Sequence, residues 1–175
     1  MTLAGLALWF DPAVPEVSLA AKSATALHEV SISSGAVYSA KFADLQGNPQ
    51  SLGQWDRKLL VVNFWATWCA PCKEEIPILV KLQTKFGEQG LQLVGIAADS
   101  TANVANFAKN ANFNYPVLLD EAGAIEFSKR LGNRLGLLPH TVVFRAGGEV
   151  IYNKLGQISE LELGAIIAKN MPITH

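Results

Sequence analysis

The sequence is poor in cysteine, and the cysteines it has lie close together. Among 175 residues there are two, Cys69 and Cys72, while three histidines are scattered at positions 28, 140 and 175. Two thiols cannot build the several disulfides of a small secreted scaffold. They also cannot fill a four-thiolate zinc site. The two cysteines must therefore be interpreted as a single pair.

Charge is also sparse, at 17% of residues, and the 14 basic residues are balanced by 15 acidic ones without any Lys/Arg run. A nucleic-acid-binding surface needs concentrated positive charge, so we expect no nucleic-acid partner. Half of the residues are hydrophobic, and the mean hydropathy is +0.22. This composition excludes a disordered chain, and the length fits one domain with a tail.

Long apolar runs are missing as well. The apolar segment Met1–Phe10 is shorter than the roughly 20 residues that span a bilayer, and it lacks the basic start of a signal peptide. Two interpretations stay open: a trimmed remnant of an export signal or membrane anchor, or a native segment that packs on the domain. Because Pro, Ala and Ser dominate the residues that follow, we expect residues 1–36 to be an N-terminal extension and residues 37–175 to form the domain.

Beyond residue 36, strand and helix patterns alternate. Val37–Phe42 is predicted as a strand, and a second short strand follows the turn residues Asp44–Pro49. The apolar run Leu59–Ala66 is typical of a central strand that is buried on both faces. Further strands are predicted at 91–98, 116–120, 141–144 and 149–152, and helices at 70–86, 101–110, 122–131 and 158–170. The order predicts an α/β sheet with helices on both faces.

The cysteine pair lies where the buried strand passes into the first long helix. Cysteines three residues apart on the first turn of a helix point the same way and can form a disulfide. Unpaired N–H groups and the helix dipole favour a thiolate, so we expect the pKa of Cys69 to fall below the free value of about 8.5. Cys69 is expected to be the more exposed sulfur. Pro71 is tolerated there because its missing N–H would have been unpaired anyway.

Three interpretations of the pair remain: a redox dithiol, a metal-binding pair and an inert pair. The strand-to-helix position, the flanking Trp68 and the internal Pro71 favour the redox dithiol. Soft thiolates also suit Cu(I), so a copper-binding chaperone is the alternative from another functional class. The sequence offers no second pair of ligands and no Met- or His-rich tract for such a role.

The segment Val61–Cys72, read VVNFWATWCAPC, resembles the active-site stretch of the thioredoxin superfamily. Continued through Lys73–Pro77, it is similar to the TlpA/ResA-like thiol–disulfide oxidoreductases of bacterial cell envelopes, and the resemblance covers residues 37–170. It implies a thioredoxin-like α/β fold, with a central mixed β-sheet flanked by helices and an N-terminal β-hairpin addition. A peroxiredoxin would share this fold, but the tight C-x-x-C after tryptophan argues against one.

The resemblance also implies roles for individual residues. Cys69 would attack a client disulfide and Cys72 would resolve the mixed disulfide. Pro139 would be a cis-proline whose loop faces the dithiol, and Leu138 would add an apolar contact to clients. Trp68 and Pro71 would complete the client-binding rim. For Pro139 the alternative is an ordinary trans proline that begins a strand.

Two polar positions concern proton transfer. Thioredoxins proper carry a buried Asp in the central strand where this sequence has Asn63, and an asparagine cannot shuttle a proton. The resemblance implies that Glu75 tunes the cysteines and relays protons, with a pKa raised by desolvation. The alternative is a solvent-facing helix glutamate, which we expect Glu74 to be. His140 is expected to point to the sheet face opposite the dithiol.

Partners and location follow from the resemblance alone. They are disulfide-containing client proteins of cytochrome c maturation or copper-centre assembly, and a membrane thiol electron donor. The location would be periplasmic or otherwise extracytoplasmic, with a membrane anchor in a precursor as one option. We expect no cofactor beyond the Cys69–Cys72 disulfide, no bound metal, and a monomer. A reductant is the expected direction, and a disulfide oxidase or isomerase is the alternative.

Overall fold

A seven-stranded mixed sheet organises the part of the chain that the computed structural model describes, residues 33–171. The expectations for the apolar N-terminal segment and the rest of residues 1–32 lie outside it. The strand order is β2-β1-β5-β4-β3-β6-β7. The strands are β1 (Lys41–Asp44), β2 (Pro49–Ser51), β3 (Leu59–Trp65), β4 (Leu91–Ala97), β5 (Val117–Leu119), β6 (His140–Phe144) and β7 (Val150–Leu155). The helices are α1 (Ser34–Tyr38), α2 (Ala70–Phe86), α3 (Thr101–Ala111), α4 (Gly123–Arg130) and α5 (Glu160–Asn170), with 3-10 turns at Leu52–Trp55 and Gly87–Gln89.

Strand β3 is the centre of the sheet, and every one of its residues is buried. It pairs in parallel with β4 and antiparallel with β6. Alternate residues enter different cores: Val61 packs in the cluster that contains residues of α2 and α5, whereas Phe64 packs in the cluster that contains residues of α1 and α4. The prediction of a central strand covered by helices on both faces is confirmed.

The N-terminal β-hairpin addition is also confirmed. Strands β1 and β2 pair antiparallel, and β1 joins the main sheet through β5. Asp44 closes the turn between them because its carboxylate accepts hydrogen bonds from the backbone N–H groups of Gln46 and Asn48 at 2.9 and 2.8 Å.

The prediction of a strand over Val37–Phe42 is wrong for its first four residues. The hydroxyl of Ser33 accepts a hydrogen bond from the Ala36 N–H and caps the short helix α1, and the strand begins at Lys41. Val37 is buried in the core from this helix. A short apolar run has no periodicity that separates strand from helix, so the cap and the packing decide. Helix α1 also crosses the expected boundary at residue 37, while the division into extension and domain stays a prediction.

Candidate active site

The cysteine pair lies at the end of β3, where the chain turns into α2. Cys69 is the N-cap of α2, and its Sγ accepts a hydrogen bond from the Cys72 N–H at 3.3 Å. The two cysteines form a disulfide with their Cα atoms 5.3 Å apart, so the structure shows the oxidised protein. N-terminal N–H groups of a helix stabilise negative charge. The same geometry would therefore stabilise a Cys69 thiolate after reduction.

The two cysteines differ in their exposure to solvent. Cys72 is fully buried and Cys69 is 5% exposed, which agrees with the expectation that Cys69 is the more accessible. The preceding residue, Trp68, is 69% exposed, and Pro71 between the cysteines is exposed as well. A large apolar side chain with that much exposed surface, next to a disulfide, is a candidate contact for a partner.

The loop before β6 borders the same site. The Leu138–Pro139 peptide bond is cis, as expected. Leu138 is partly buried and packs against the apolar cluster that contains Cys69, Cys72 and Trp65. The structure thus brings together, around one disulfide, two segments that are far apart in the sequence.

Glu75 is fully buried one helical turn after Cys72. Its Oε1 accepts a hydrogen bond from Asn63 Nδ2 at 2.6 Å, and its Oε2 accepts one from the Ile158 N–H at 3.1 Å. Burial raises the pKa of Glu75 from 4.5 to about 7, and the two hydrogen bonds only partly oppose it. Glu74, by contrast, is exposed, as expected.

The side-chain amide of Asn63 donates two hydrogen bonds, to two different elements. Besides Glu75, its Nδ2 donates to Thr141 Oγ1 on the adjacent strand β6 at 3.0 Å. The sequence does not predict the pairing of Asn63 with Glu75. A polar residue inside an otherwise apolar strand was the one signal available, because buried polar groups are almost always hydrogen-bonded.

His140 points away from the dithiol, as expected. Its Nδ1 lies 2.8 Å from Ser128 Oγ on α4, and its ring stacks on Phe64. Both neighbours belong to the sheet face opposite Glu75. Burial lowers the pKa of His140, and the hydrogen bond with Asn153 only partly opposes this effect.

Sequence reasoning missed a second carboxylate near the site. Asp99, the second residue after β4 and buried, accepts hydrogen bonds from the backbone N–H and the hydroxyl of Thr67. It also accepts from the Ser100 N–H at 2.7 Å and from Asn103 Nδ2 at 2.9 Å. These bonds tie the segment that leads into Trp68 and Cys69 to the start of α3.

Within residues 33–171, no group of three or more His, Cys, Asp or Glu side chains is arranged to hold a metal ion. In the same described part of the chain, no helix is both long and apolar enough to cross a membrane.

Known proteins resemble this chain over most of its length. A family model described as Redoxin matches residues 13–167. The thiol-disulfide oxidoreductase ResA of Bacillus anthracis is 30% identical over 131 residues, which are 74% of this chain and 73% of that protein. The chain belongs to the TlpA/ResA-like group of the thioredoxin superfamily. It is a thiol–disulfide oxidoreductase, and proteins of this kind act on clients that contain disulfides.

Solved structures of this superfamily agree in fold. A thiol:disulfide interchange protein of the thioredoxin family from Chlorobium tepidum TLS superposes with a TM-score of 0.68 at 30% identity, covering 77% of this chain and 94% of that one. A secreted disulfide oxidoreductase of Mycobacterium tuberculosis gives a TM-score of 0.64 at 25% identity, covering 75% of this chain and 96% of that one.

Proposed function

We propose that this oxidoreductase works as a reductant, and that the dithiol form of Cys69 and Cys72 is the active state. The Cys69 thiolate attacks one sulfur of a client disulfide and releases the other client sulfur as a thiolate. The Cys72 thiolate then attacks Cys69 Sγ in the mixed disulfide and releases the second client sulfur. Two electrons pass to the client, and the enzyme is left with the Cys69–Cys72 disulfide.

The order of attack is supported by access to the sulfurs. Cys69 is the cysteine with some solvent exposure, and its Sγ accepts a hydrogen bond from a helix N–H, whereas Cys72 is fully buried. A client disulfide can approach the first sulfur from outside. The second is reached only from within the mixed disulfide, as a resolving thiol requires.

Glu75 is proposed as the acceptor of the Cys72 proton. A thiol must lose its proton before it can attack, and the enclosed Cys72 needs an acceptor inside the protein. Residues three apart on a helix lie on the same face, so the Glu75 carboxyl and the Cys72 thiol share one enclosed region of α2. A carboxyl group with a pKa of about 7 is able both to accept and to return a proton near neutral pH. The observation that carries this mechanism is the fully buried carboxyl of Glu75, one helical turn after the fully buried Cys72.

Client binding is proposed for the rim of the disulfide. Trp68 and Pro71 provide exposed apolar surface on one side. The partly buried Leu138 provides the other side, in the loop before β6, and the buried cis-Pro139 follows it at the edge of the site. Apolar contacts tolerate many client sequences, because they impose no hydrogen-bond pattern on the side chains of the client.

We further propose an extracytoplasmic location, clients in cytochrome c maturation or copper-centre assembly, and recharging by a membrane thiol donor. The client class is implied by the resemblance of residues 61–77 to the TlpA/ResA-like proteins, and the secreted Mycobacterium tuberculosis relative supports the location. A fusion of the native reading frame to a reporter that is active only outside the cytoplasm tests the location. An inactive reporter overturns it.

The reduction potential tests the direction of the reaction. It is measured from tryptophan fluorescence in thiol–disulfide buffers, since Trp68 adjoins the disulfide. A potential at or below about −250 mV is expected, as for reducing thioredoxins. A potential of about −120 to −180 mV would match oxidases and isomerases and overturn the proposed direction. Cu(I) titration of the reduced protein against a competing chelator tests the alternative that the protein is a copper chaperone.

A further inference from the structure

A series of buried and partly buried hydrogen bonds on the sheet face opposite the dithiol ends at the loop that borders the dithiol. Asn133, which is fully buried after α4, contacts the backbone of Leu137 in both directions. The Leu137 N–H donates to Asn133 Oδ1 at 3.0 Å, and Asn133 Nδ2 donates to the Leu137 carbonyl at 2.7 Å. Leu137 is separated from Pro139 by one residue, so this side chain fixes the backbone where the loop enters the site.

Asn133 is itself held in place by a fixed sequence of donors and acceptors. Its second Nδ2 hydrogen goes to Ser128 Oγ at 2.8 Å. The Ser128 hydroxyl hydrogen is then free for His140 Nδ1, so the ring hydrogen lies on Nε2 and is donated to Asn153 Oδ1 at 2.9 Å. The Asn153 amide in turn donates to the Leu131 carbonyl. Each hydrogen donated in this series has its own acceptor, so the amide of Asn133 has a single orientation that satisfies all of the bonds.

The loop held in this way is rich in exposed apolar surface. Leu135 is 76% exposed and Leu137 is 52% exposed, and Leu138 packs against the cluster that contains both cysteines. Apolar side chains on a loop lose binding energy when the loop must be ordered on each encounter. A buried amide that fixes the backbone removes this cost before the client arrives.

We propose that Asn133 is a positioning residue for client binding: through its paired hydrogen bonds to Leu137 it holds the Leu137–Pro139 edge ready to receive a protein disulfide. The proposal rests on the proposed use of Leu138 and Pro139 as client contacts. Asn133 takes no part in the chemistry, because its bonds reach the backbone of the loop and no sulfur.

The first test is hydrogen exchange of the Leu137 amide in the oxidised protein. In Asn133→Ala this amide is expected to exchange at least about tenfold faster, because its acceptor is lost, while the amides of β3 keep their protection. Ser128→Ala, which removes the neighbour that orients Asn133, is expected to give a smaller increase and serves if Asn133→Ala does not fold. An unchanged exchange rate of the Leu137 amide in the folded variants would overturn the proposal that Asn133 holds the backbone of Leu137.

The second test separates client binding from chemistry. With insulin as a protein disulfide, Asn133→Ala is expected to raise KM roughly tenfold, the effect of losing about one hydrogen bond. With hydroxyethyl disulfide, which is too small to use the loop, the rate is expected to stay unchanged, as is the reduction potential. Leu163→Ala, at a core position of α5, is the control for general destabilisation. It is expected to change neither the KM for insulin nor the rate with hydroxyethyl disulfide.

Equal losses on both substrates, or an unchanged KM for insulin, would overturn the positioning role. A wild-type protein that fails to reduce insulin would instead contradict the proposed function. The exchange rate of the Leu137 amide would still decide whether Asn133 holds the backbone of Leu137.

Discussion

Asn63 on β3 donates a hydrogen bond of 2.6 Å to the carboxyl group of Glu75 on α2, in a region where both side chains are buried. The central strand therefore supplies the amide and the helix supplies the acid. Asn63 cannot transfer a proton, but it orients the group that can. Both donors to Glu75 are neutral amides, so burial outweighs their effect and the pKa of Glu75 is raised.

The stability of the oxidised protein is expected to fall between pH 5 and pH 8 because of Glu75. Its pKa is about 7 in the folded protein, against an ordinary value of 4.5 that represents the unfolded chain. The folded state therefore binds the proton more tightly, and its advantage is complete below about pH 4.5 and is lost as the pH rises through 7. The raised pKa corresponds to about 3 kcal/mol of unfolding free energy, measured by urea denaturation across the pH range.

The control for this measurement is the neighbouring pair of variants Glu75→Gln and Glu74→Gln. Glu75→Gln should flatten the pH dependence, because glutamine does not ionise. Glu74→Gln, at the exposed position, should retain the wild-type slope. A wild-type slope in Glu75→Gln would show that another group causes the effect.

The resolving step is expected to slow in Glu75→Gln by about ten- to a hundredfold at pH 7, which is at or below the low end of general acid–base effects. The reason is that the buried Cys72 thiol loses its proton acceptor. Stopped-flow fluorescence of the mixed disulfide with a client peptide measures this step directly. Glu74→Gln should resolve at the wild-type rate, and equal rates in all three proteins would remove Glu75 from the mechanism.

Trp68→Ala is expected to impair client binding without affecting folding. The side chain is 69% exposed, so the free energy of unfolding should change by less than about 0.5 kcal/mol. The KM for insulin should rise severalfold, because the apolar contact beside Cys69 is lost. Leu161→Ala, an exposed leucine on α5, is the matched control and should leave KM unchanged. If both variants behave alike, Trp68 is not a client contact.

Asp99→Asn is expected to destabilise the protein by about 1–3 kcal/mol at pH 7, because a carboxylate that accepts several hydrogen bonds is replaced by a group with a donor in the same place. Burial raises the pKa of Asp99, but the bonds from Thr67, Asn103 and Ser100 outweigh it and lower the pKa overall. The contribution is therefore present at neutral pH and lost on acidification through the folded pKa. Urea denaturation at pH 7 measures it.

The exposed Asp56 supplies the comparison for that experiment. Asp56→Asn should leave the free energy of unfolding within about 0.5 kcal/mol of wild type. If Asp56→Asn lowers the free energy of unfolding as much as Asp99→Asn does, the cause is a general effect of charge and not the loss of the hydrogen bonds from Thr67.

The sequence by itself determined the features that depend on neighbours along the chain. The apolar run Leu59–Ala66 predicted a buried central strand, and the C-x-x-C that follows it predicted a disulfide at a helix start. Local chemistry is sufficient for both, since strand burial shows in composition and an i, i+3 pair on a helix shares one face. The one clear error, a strand across Val37, arose where a short apolar run fits either structure.

Only the tertiary structure decided what the buried polar groups bind. The resemblance implied that Glu75 is desolvated and that the adjacent Glu74 is exposed, but it did not show that Asn63 and Ile158, 83 residues away, bond the Glu75 carboxyl. Asn133, which bonds the backbone of Leu137, is likewise linked through Ser128 to His140 on β6 and Asn153 on β7. Burial and hydrogen-bond partners are set by contacts between distant segments, and no local pattern records them.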